Sequence, residues 1–359
     1  MKLHDSWKRM LCAALTPTLQ MMLPSAGASE GDPSAGGAAT TSQPAAPPQG
    51  HPALLALQRA DADFDRACSG TFELARPGRV LPGPEFGKHV EVCRFSTASG
   101  VRALLGETQY EHDPEFRPPG SPDYAGLDYD SDGNLIVRRP VRKTALSTPE
   151  FNRVLEEQER LLIAPNGEVL TRLQYSTLCL YDIGSPNSTY EFDQFRRATG
   201  RALSPYLQTV NSAERRSDGL EELRCAGSDA PGMTGEWHLL VDAEAGQLVR
   251  EAKFFPPDRD SPVLRVRNSG LFRKEGIALA AQGVLTYALG PGHDLDLTIT
   301  VRDLTARADD ELVEQLRARL TAPLPDNARI IDERRGESKV YLPGKAPPDL
   351  PDLRRPPTQ

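Results

Sequence analysis

Residues 237–255 read WHLLVDAEAGQLVREAKFF, and this stretch decides the fold. Apolar residues recur at every second position in 237–241 and, less strictly, in 248–255, a period that is typical of β-strands. The segment Asp242–Gly246 separates them, and Gly246 can adopt the left-handed backbone conformation that a tight turn requires. The stretch therefore predicts an antiparallel β-hairpin.

The same period of two recurs along most of the chain. Further strands are predicted at 71–74, 90–95, 134–145, 168–182, 206–212, 218–226, 262–268, 277–288 and 294–303. Apolar residues at helical spacing predict helices at 53–67 and 309–320. We therefore expect a β-rich α+β fold: one curved antiparallel sheet, half-barrel-like, with an N-terminal helix and a helix near the C-terminus.

Residues 149–163 admit two interpretations. Thr148-Pro149 is typical of a helix start, and the apolar residues that follow keep helical spacing. Ala164-Pro165-Asn166-Gly167 is instead typical of a hairpin turn, which would make 160–163 a strand. We favour a helix over 149–159.

The first 28 residues have the organisation of a signal peptide. Positive charges at Lys2, Lys8 and Arg9 precede the mostly apolar stretch 11–23, and Ala26-Gly27-Ala28 has the form of a cleavage site. The alternatives are a disordered N-terminal arm or a wrongly assigned start of translation. We expect an extracytoplasmic protein, periplasmic or secreted, with no integral membrane segment after cleavage.

The remaining chain divides by composition. Residues 29–52 are rich in Gly, Ala and Pro and predict a disordered linker, and residues 343–359 predict a Pro-rich disordered tail. Between them we expect a single domain, 53–342, with a long loop at 113–134. A formal net charge of −8 argues against a nucleic-acid partner, which needs clustered Lys and Arg. The oligomeric state is left open.

Four cysteines follow the leader: Cys68, Cys93, Cys179 and Cys225. None has C-x-x-C spacing, and an even number in an exported chain favours disulfides. Three connectivities are available. We favour Cys68–Cys93, which would close the first hairpin, and Cys179–Cys225 as the remaining pair, with buried free thiols as the alternative.

The sequence DYDSDGN at 128–134 has the opening of a calcium loop. Asp128, Asp130, Asp132 and Asn134 are spaced to converge on a hard cation. The twelfth position, which needs an acid, holds Arg139, so an EF-hand is excluded. The alternatives are a different calcium loop or a solvated Asp-Gly turn that enters a strand. No other cofactor is predicted.

No catalytic motif stands in the context that its chemistry needs. The sequence contains no H-E-x-x-H or S-x-x-K motif and no Gly-rich phosphate loop, and its G-x-S-x-G match at 27–31 crosses the predicted cleavage site instead of following a strand. Triads that assemble only in space leave no such trace, so enzymatic activity stays undecided, with a non-enzyme favoured.

The order of elements resembles that of the LolA/LppX-like superfamily of periplasmic lipoprotein or lipid carriers. The shared features are a leader, a helix that runs into a strand at 64–74, the hairpin at 235–250, Gly270-Leu271-Phe272, a strand at 283–289, and a strand at 296–303 before a helix. The resemblance covers 53–335 and is architectural, with extra material at about 113–165. It implies a half-β-barrel around an apolar cavity.

Inward-facing residues of such a cavity would be Leu239, Val241, Leu248, Ile299 and Val301, although alternation alone also fits an ordinary core. We therefore expect a non-enzymatic protein that binds a hydrophobic ligand, a lipid or a lipoprotein acyl chain, in a concave sheet. The alternative is a structural or interaction module of the cell envelope without a cavity. A third candidate is an extracytoplasmic hydrolase.

Overall fold

The computed structural model describes residues 51–76, 89–110, 129–183, 185–230, 233–290, 293–325, 328–334 and 339–342. These residues form three α-helices, α1 (Pro52–Arg66), α2 (Tyr190–Ala198) and α3 (Asp310–Thr321). The strands are β1 (Ala67–Arg76), β2 (His89–Ala98), β3 (Val101–Tyr110), β4 (Leu135–Ser147), β5 (Asn152–Ile163), β6 (Val169–Tyr181), β7 (Leu207–Arg215), β8 (Glu221–Ala230), β9 (Met233–Asp242), β10 (Leu248–Phe255), β11 (Leu264–Ser269), β12 (Phe272–Lys274), β13 (Ile277–Leu279), β14 (Gln282–Gly290), β15 (His293–Thr305), β16 (Arg329–Asp332) and β17 (Lys339–Tyr341).

Among these strands, fifteen form one open sheet in the order β17-β16-β6-β5-β4-β3-β2-β1-β15-β14-β11-β10-β9-β8-β7. In the described residues, neighbouring strands of this sheet pair antiparallel, except β16 and β6, which pair parallel. The predicted hairpin is confirmed: β9 and β10 pair, and Gly246 in their turn has a φ of 75°. The predicted terminal helices are confirmed as α1 and α3.

The sheet curls around α2. Glu191 at the start of α2 contacts Lys143 on β4, and Arg197 at its end contacts Asp229 on β8. Eight strands (β3, β2, β1, β15, β14, β11, β10 and β9) lie between β4 and β8 in the sheet order. A flat sheet would separate these two strands by about 43 Å, whereas the 9 residues of α2 span about 14 Å. The predicted curved, half-barrel-like sheet is therefore confirmed.

The helices lie on both faces of this sheet. Neighbouring residues of a strand point to opposite faces. Ala103 of β3 belongs to the cluster that packs against Leu312, Leu316 and Leu320 of α3. The next residue, Leu104, pairs with Phe95, whose ring contacts α2. We call the α2 side the concave face and the α3 side the convex face.

The helix predicted over 149–159 is wrong, because residues 152–159 belong to strand β5 and residues 149–151 lie in the turn before it. In β5, Leu155 packs in the α3 cluster on the convex face, while the buried Val154 points to the concave face. A strand that is covered on both faces carries apolar residues on both faces instead of at every second position. In β5 the resulting spacing of apolar residues resembled that of a helix. The Thr148 hydroxyl accepts the Glu150 and Phe151 N–H groups in a turn before β5.

The predicted disulfides are also wrong. The four described cysteines, Cys68, Cys93, Cys179 and Cys225, are buried, and none of them forms a disulfide. Cys93 pairs in register with Phe72, while Cys68 pairs with Thr97, so these two sulfurs lie four residues apart along the hairpin. Cys179 is on β6 and Cys225 on β8, towards opposite ends of the sheet order. The alternative of buried free thiols describes the structure.

Several expectations concern residues outside the described ranges. The leader, most of the linker, residues 113–128 of the long loop and the tail at 343–359 are among them. None of the helices in the described ranges is both long and apolar enough to cross a membrane.

Candidate functional site on the concave face

Five phenylalanines meet at the centre of the concave face. We call them the Phe cluster: Phe64 of α1, Phe72 of β1, Phe95 of β2, and Phe192 and Phe195 of α2. Each is at most 2% exposed. The ring centroids of Phe195 and Phe72 lie 4.4 Å apart. The ring centroid of Phe95 lies 5.0 Å from that of Phe195 and 5.1 Å from that of Phe192. These separations suit favourable aromatic pairs.

Sequence reasoning missed helix α2, although its signals are present. Glu191 and Asp193 occupy its first turn and Arg196 and Arg197 its last, as the helix dipole favours. Gly200, with a φ of 82°, provides the left-handed residue that commonly follows a helix end. The helix has only 9 residues, four of them charged, so too few apolar positions are present to mark a helix by their spacing.

Ion pairs surround the two phenylalanines of α2 and anchor the helix to four other elements. The pairs are Glu191–Lys143 of β4 at 2.6 Å, Asp193–Arg102 of β3 at 3.6 Å, Arg196–Asp65 of α1 at 2.6 Å and Arg197–Asp229 of β8 at 2.8 Å. The side chain of Arg196 is only 4% exposed. The contacts of α2 are thus apolar at the centre and charged at the rim.

The rim is incompletely satisfied. Burial raises the pKa of Asp65 and of Asp193, although arginines beside both carboxyl groups oppose the shift. Oδ1 of Asp65 and Nε of Arg196 are buried without a hydrogen-bond partner. Unsatisfied buried polar atoms cost about 1–3 kcal/mol each, which reduces the net contribution of this rim to the docking of α2.

Acidic groups outnumber the cation where α2 begins. Burial by itself would lower the pKa of Lys143, but the neighbouring carboxyl groups of Glu191 and Glu156 have the larger effect and raise this pKa to about 12. Burial raises the pKa of Glu156, which lies opposite Lys143 on β5. The Gln158 amide donates to Glu156 Oε2 at 3.2 Å.

The residues nominated as cavity lining are core residues in this structure. Leu239, Val241, Leu248, Ile299 and Val301 are at most 7% exposed, and Val301 pairs in register with Phe72 of the Phe cluster. A pocket of about 170 Å³ lies on the convex side instead, beside charged residues such as Glu251 and Lys253. Its volume falls below the roughly 300–1,000 Å³ of small-molecule sites.

The candidate calcium residues form a turn before β4. Asp130 Oδ1 accepts the N–H groups of Asp132 at 3.0 Å and Asn134 at 2.9 Å, and Oδ2 accepts the Asn134 side-chain amide at 3.0 Å. These bonds lower the pKa of Asp130. Asp128 lies outside the described residues, which contain no cluster of three or more side chains suited to a metal ion. Calcium binding stays an untested prediction.

Comparisons with known proteins give only distant likenesses. No protein-family model matches the chain, and no curated protein matches it. The LolA superfamily protein NE2245 from Nitrosomonas europaea is 10% identical with a TM-score of 0.34, over 73% of this chain and 96% of that one. LprF from Mycobacterium bovis is 11% identical with a TM-score of 0.23, over 72% and 94%. At these values the likeness concerns general fold at most and supports no statement about function.

Proposed function

We propose that this chain is a non-enzymatic extracytoplasmic protein that binds a hydrophobic ligand, a lipid or a lipoprotein acyl chain, on its concave face. The observation that carries the proposal is the Phe cluster. At the centre of the curled sheet, the apolar surface around Phe72 and Phe95 is covered by α2, a helix of 9 residues. A ligand of the same chemistry as the α2 rings can take their place.

The energies of this exchange are comparable. Burial of Phe192 and Phe195 contributes about 1.5–3 kcal/mol each, and an acyl chain gains about 0.8 kcal/mol per buried methylene. About four to eight methylenes therefore match the two rings. The ion pairs at the rim add little to the docking of α2, because burying charges costs nearly as much as pairing them returns. A long acyl chain has enough apolar surface to displace the helix.

A fluorescence titration tests this function. The purified protein is titrated with a fatty acid of about 16 carbons that carries an environment-sensitive fluorophore. Phe195→Ala should bind the probe more tightly than the wild type, because it removes the ring with which the probe competes. Leu316→Ala is the matched control, since it removes a buried apolar side chain from the convex face. It should leave probe affinity unchanged.

A second candidate, a structural or interaction module without a cavity, is favoured by the complete burial of the nominated lining residues. The same titration separates the two. If neither the wild type nor Phe195→Ala binds the probe while both keep native circular dichroism, the ligand-binding function is refuted and the module is supported. Native mass spectrometry of the protein purified from its host provides a second readout, because a carrier should retain lipid.

A further inference from the structure

Strand β6 carries an exposed apolar stretch at an outer edge of the sheet. It spans 13 residues, but β16 pairs only with Thr177–Leu180. Among the described strands, none pairs with the outer edge of Val169–Leu173. Within this stretch Val169 is 47% exposed, Leu170 49% and Leu173 55%. We call Val169–Leu173 the β6 edge.

An apolar strand edge of this kind is a template for another strand. Unpaired backbone groups at an edge attract further strands, and soluble proteins usually blunt such edges with charges, bulges or short strands. The other end of the sheet follows that rule, because β7 has two bulges and its exposed residues are mostly polar or charged. The β6 edge also contains a bulge, but the bulged residue, Leu170, is apolar and 49% exposed.

Charge restricts the kind of partner. Arg172 lies in the middle of the β6 edge, and its side chain is 57% exposed. Its contact with Glu159 is long, at 3.8 Å, so its guanidinium retains donors towards solvent. A strand added here would place one residue opposite Arg172 and its neighbours opposite Leu173 and Thr171. An acidic residue flanked by β-branched apolar residues matches that surface.

We propose that the β6 edge binds an extended, acidic and apolar peptide segment of a partner protein by strand addition. Main-chain hydrogen bonds to the edge supply affinity, and the pairing of an acid with Arg172 supplies selectivity. The site is separate from the Phe cluster and does not depend on the proposed ligand.

A synthetic probe tests the proposal. The full-length protein is titrated, by fluorescence anisotropy, with a labelled peptide of alternating Val and Thr and a central Asp. Leu173→Asp should weaken binding at least about tenfold, because it replaces an apolar contact with a carboxylate that repels the acidic peptide. N-methylation of alternate peptide amides should weaken binding to a similar degree, because it removes main-chain hydrogen-bond donors. Arg172→Glu should reverse the preference from the Asp peptide to a Lys peptide. Thr209→Asp, on the exposed edge of β7, is the matched control and should bind like the wild type.

Three results would overturn the assignment. The first is no binding at about 1 mM peptide. The second is equal affinity of Leu173→Asp and Thr209→Asp. The third is a homodimer in native mass spectrometry that Leu173→Asp dissociates, which would assign the β6 edge to a second copy of this chain.

Discussion

Replacing Phe195 with alanine should strongly destabilise the protein. The ring of Phe195 lies 4.4 Å from that of Phe72, 5.0 Å from Phe95 and 6.2 Å from Phe64, and its side chain is fully buried. Phe→Ala in a core costs about 3–5 kcal/mol. Aromatic pairs contribute about 0.5–1.5 kcal/mol each to such losses, so the three pairs place the expected loss near the upper end of this range, about 4–5 kcal/mol. The melting temperature should fall by about 8 °C or more.

Urea denaturation monitored by tryptophan fluorescence measures this loss, because Trp237 is buried and packs 5.1 Å from Phe254. Phe195→Leu is the control: it fills most of the volume without a ring and should cost less than about 2 kcal/mol. A loss below about 1.5 kcal/mol for Phe195→Ala would mean that α2 is not docked on the concave face in solution, and the energetic argument for ligand exchange would fail.

Four further predictions follow from the same contacts. Burial raises the pKa of the Glu156 carboxyl group above 4.5, so the folded state holds the carboxyl proton more tightly than the unfolded chain does. The protein therefore loses stability as the pH rises through the folded pKa of Glu156, and Glu156→Gln should raise the melting temperature at about pH 7 but not at about pH 4. An equal effect at both pH values would contradict the burial of this carboxyl group. Asp130→Ala should lower the melting temperature equally with and without millimolar calcium, because the Asp130 carboxylate already accepts three N–H groups. If calcium instead raises the melting temperature of the wild type and Asp130→Ala abolishes this rise, the turn is a calcium site. The four thiols should resist a thiol reagent until urea unfolds the chain, because burial raises the pKa of Cys68 to about 12 and that of Cys225 to about 11; non-reducing peptide maps that show a disulfide would disprove this. Protein recovered from the periplasm or medium should begin near Ser29 by N-terminal sequencing, and intact Met1 protein in the cytosol would remove the export prediction.

The candidate site was only partly accessible to sequence reasoning. Alternation identified Ile299 and Val301 as inward-facing residues, and both are buried. It did not identify Phe192 and Phe195, which cover the same face, because their helix is short and carries charges on several sides. The partners of those charges are distant in sequence: Arg196 and Asp65 are 131 residues apart. No local pattern reports such a pairing.

The sequence by itself determined the elements whose cause is local. The hairpin at 237–255 follows from a period of two around Gly246, and α3 follows from helical spacing with Asp309 as a cap that accepts the Leu312 N–H. Only the tertiary structure decided what depends on which faces are covered. Strand β5 was misread because both its faces are buried. The four cysteines form no disulfide because the register of β1 and β2 separates Cys68 from Cys93, and the order of the strands separates Cys179 from Cys225. The curl of the sheet around α2 also depends on the tertiary structure. Burial, strand order and this curl all arise from contacts between segments that are distant in sequence, and a local residue pattern does not encode such contacts.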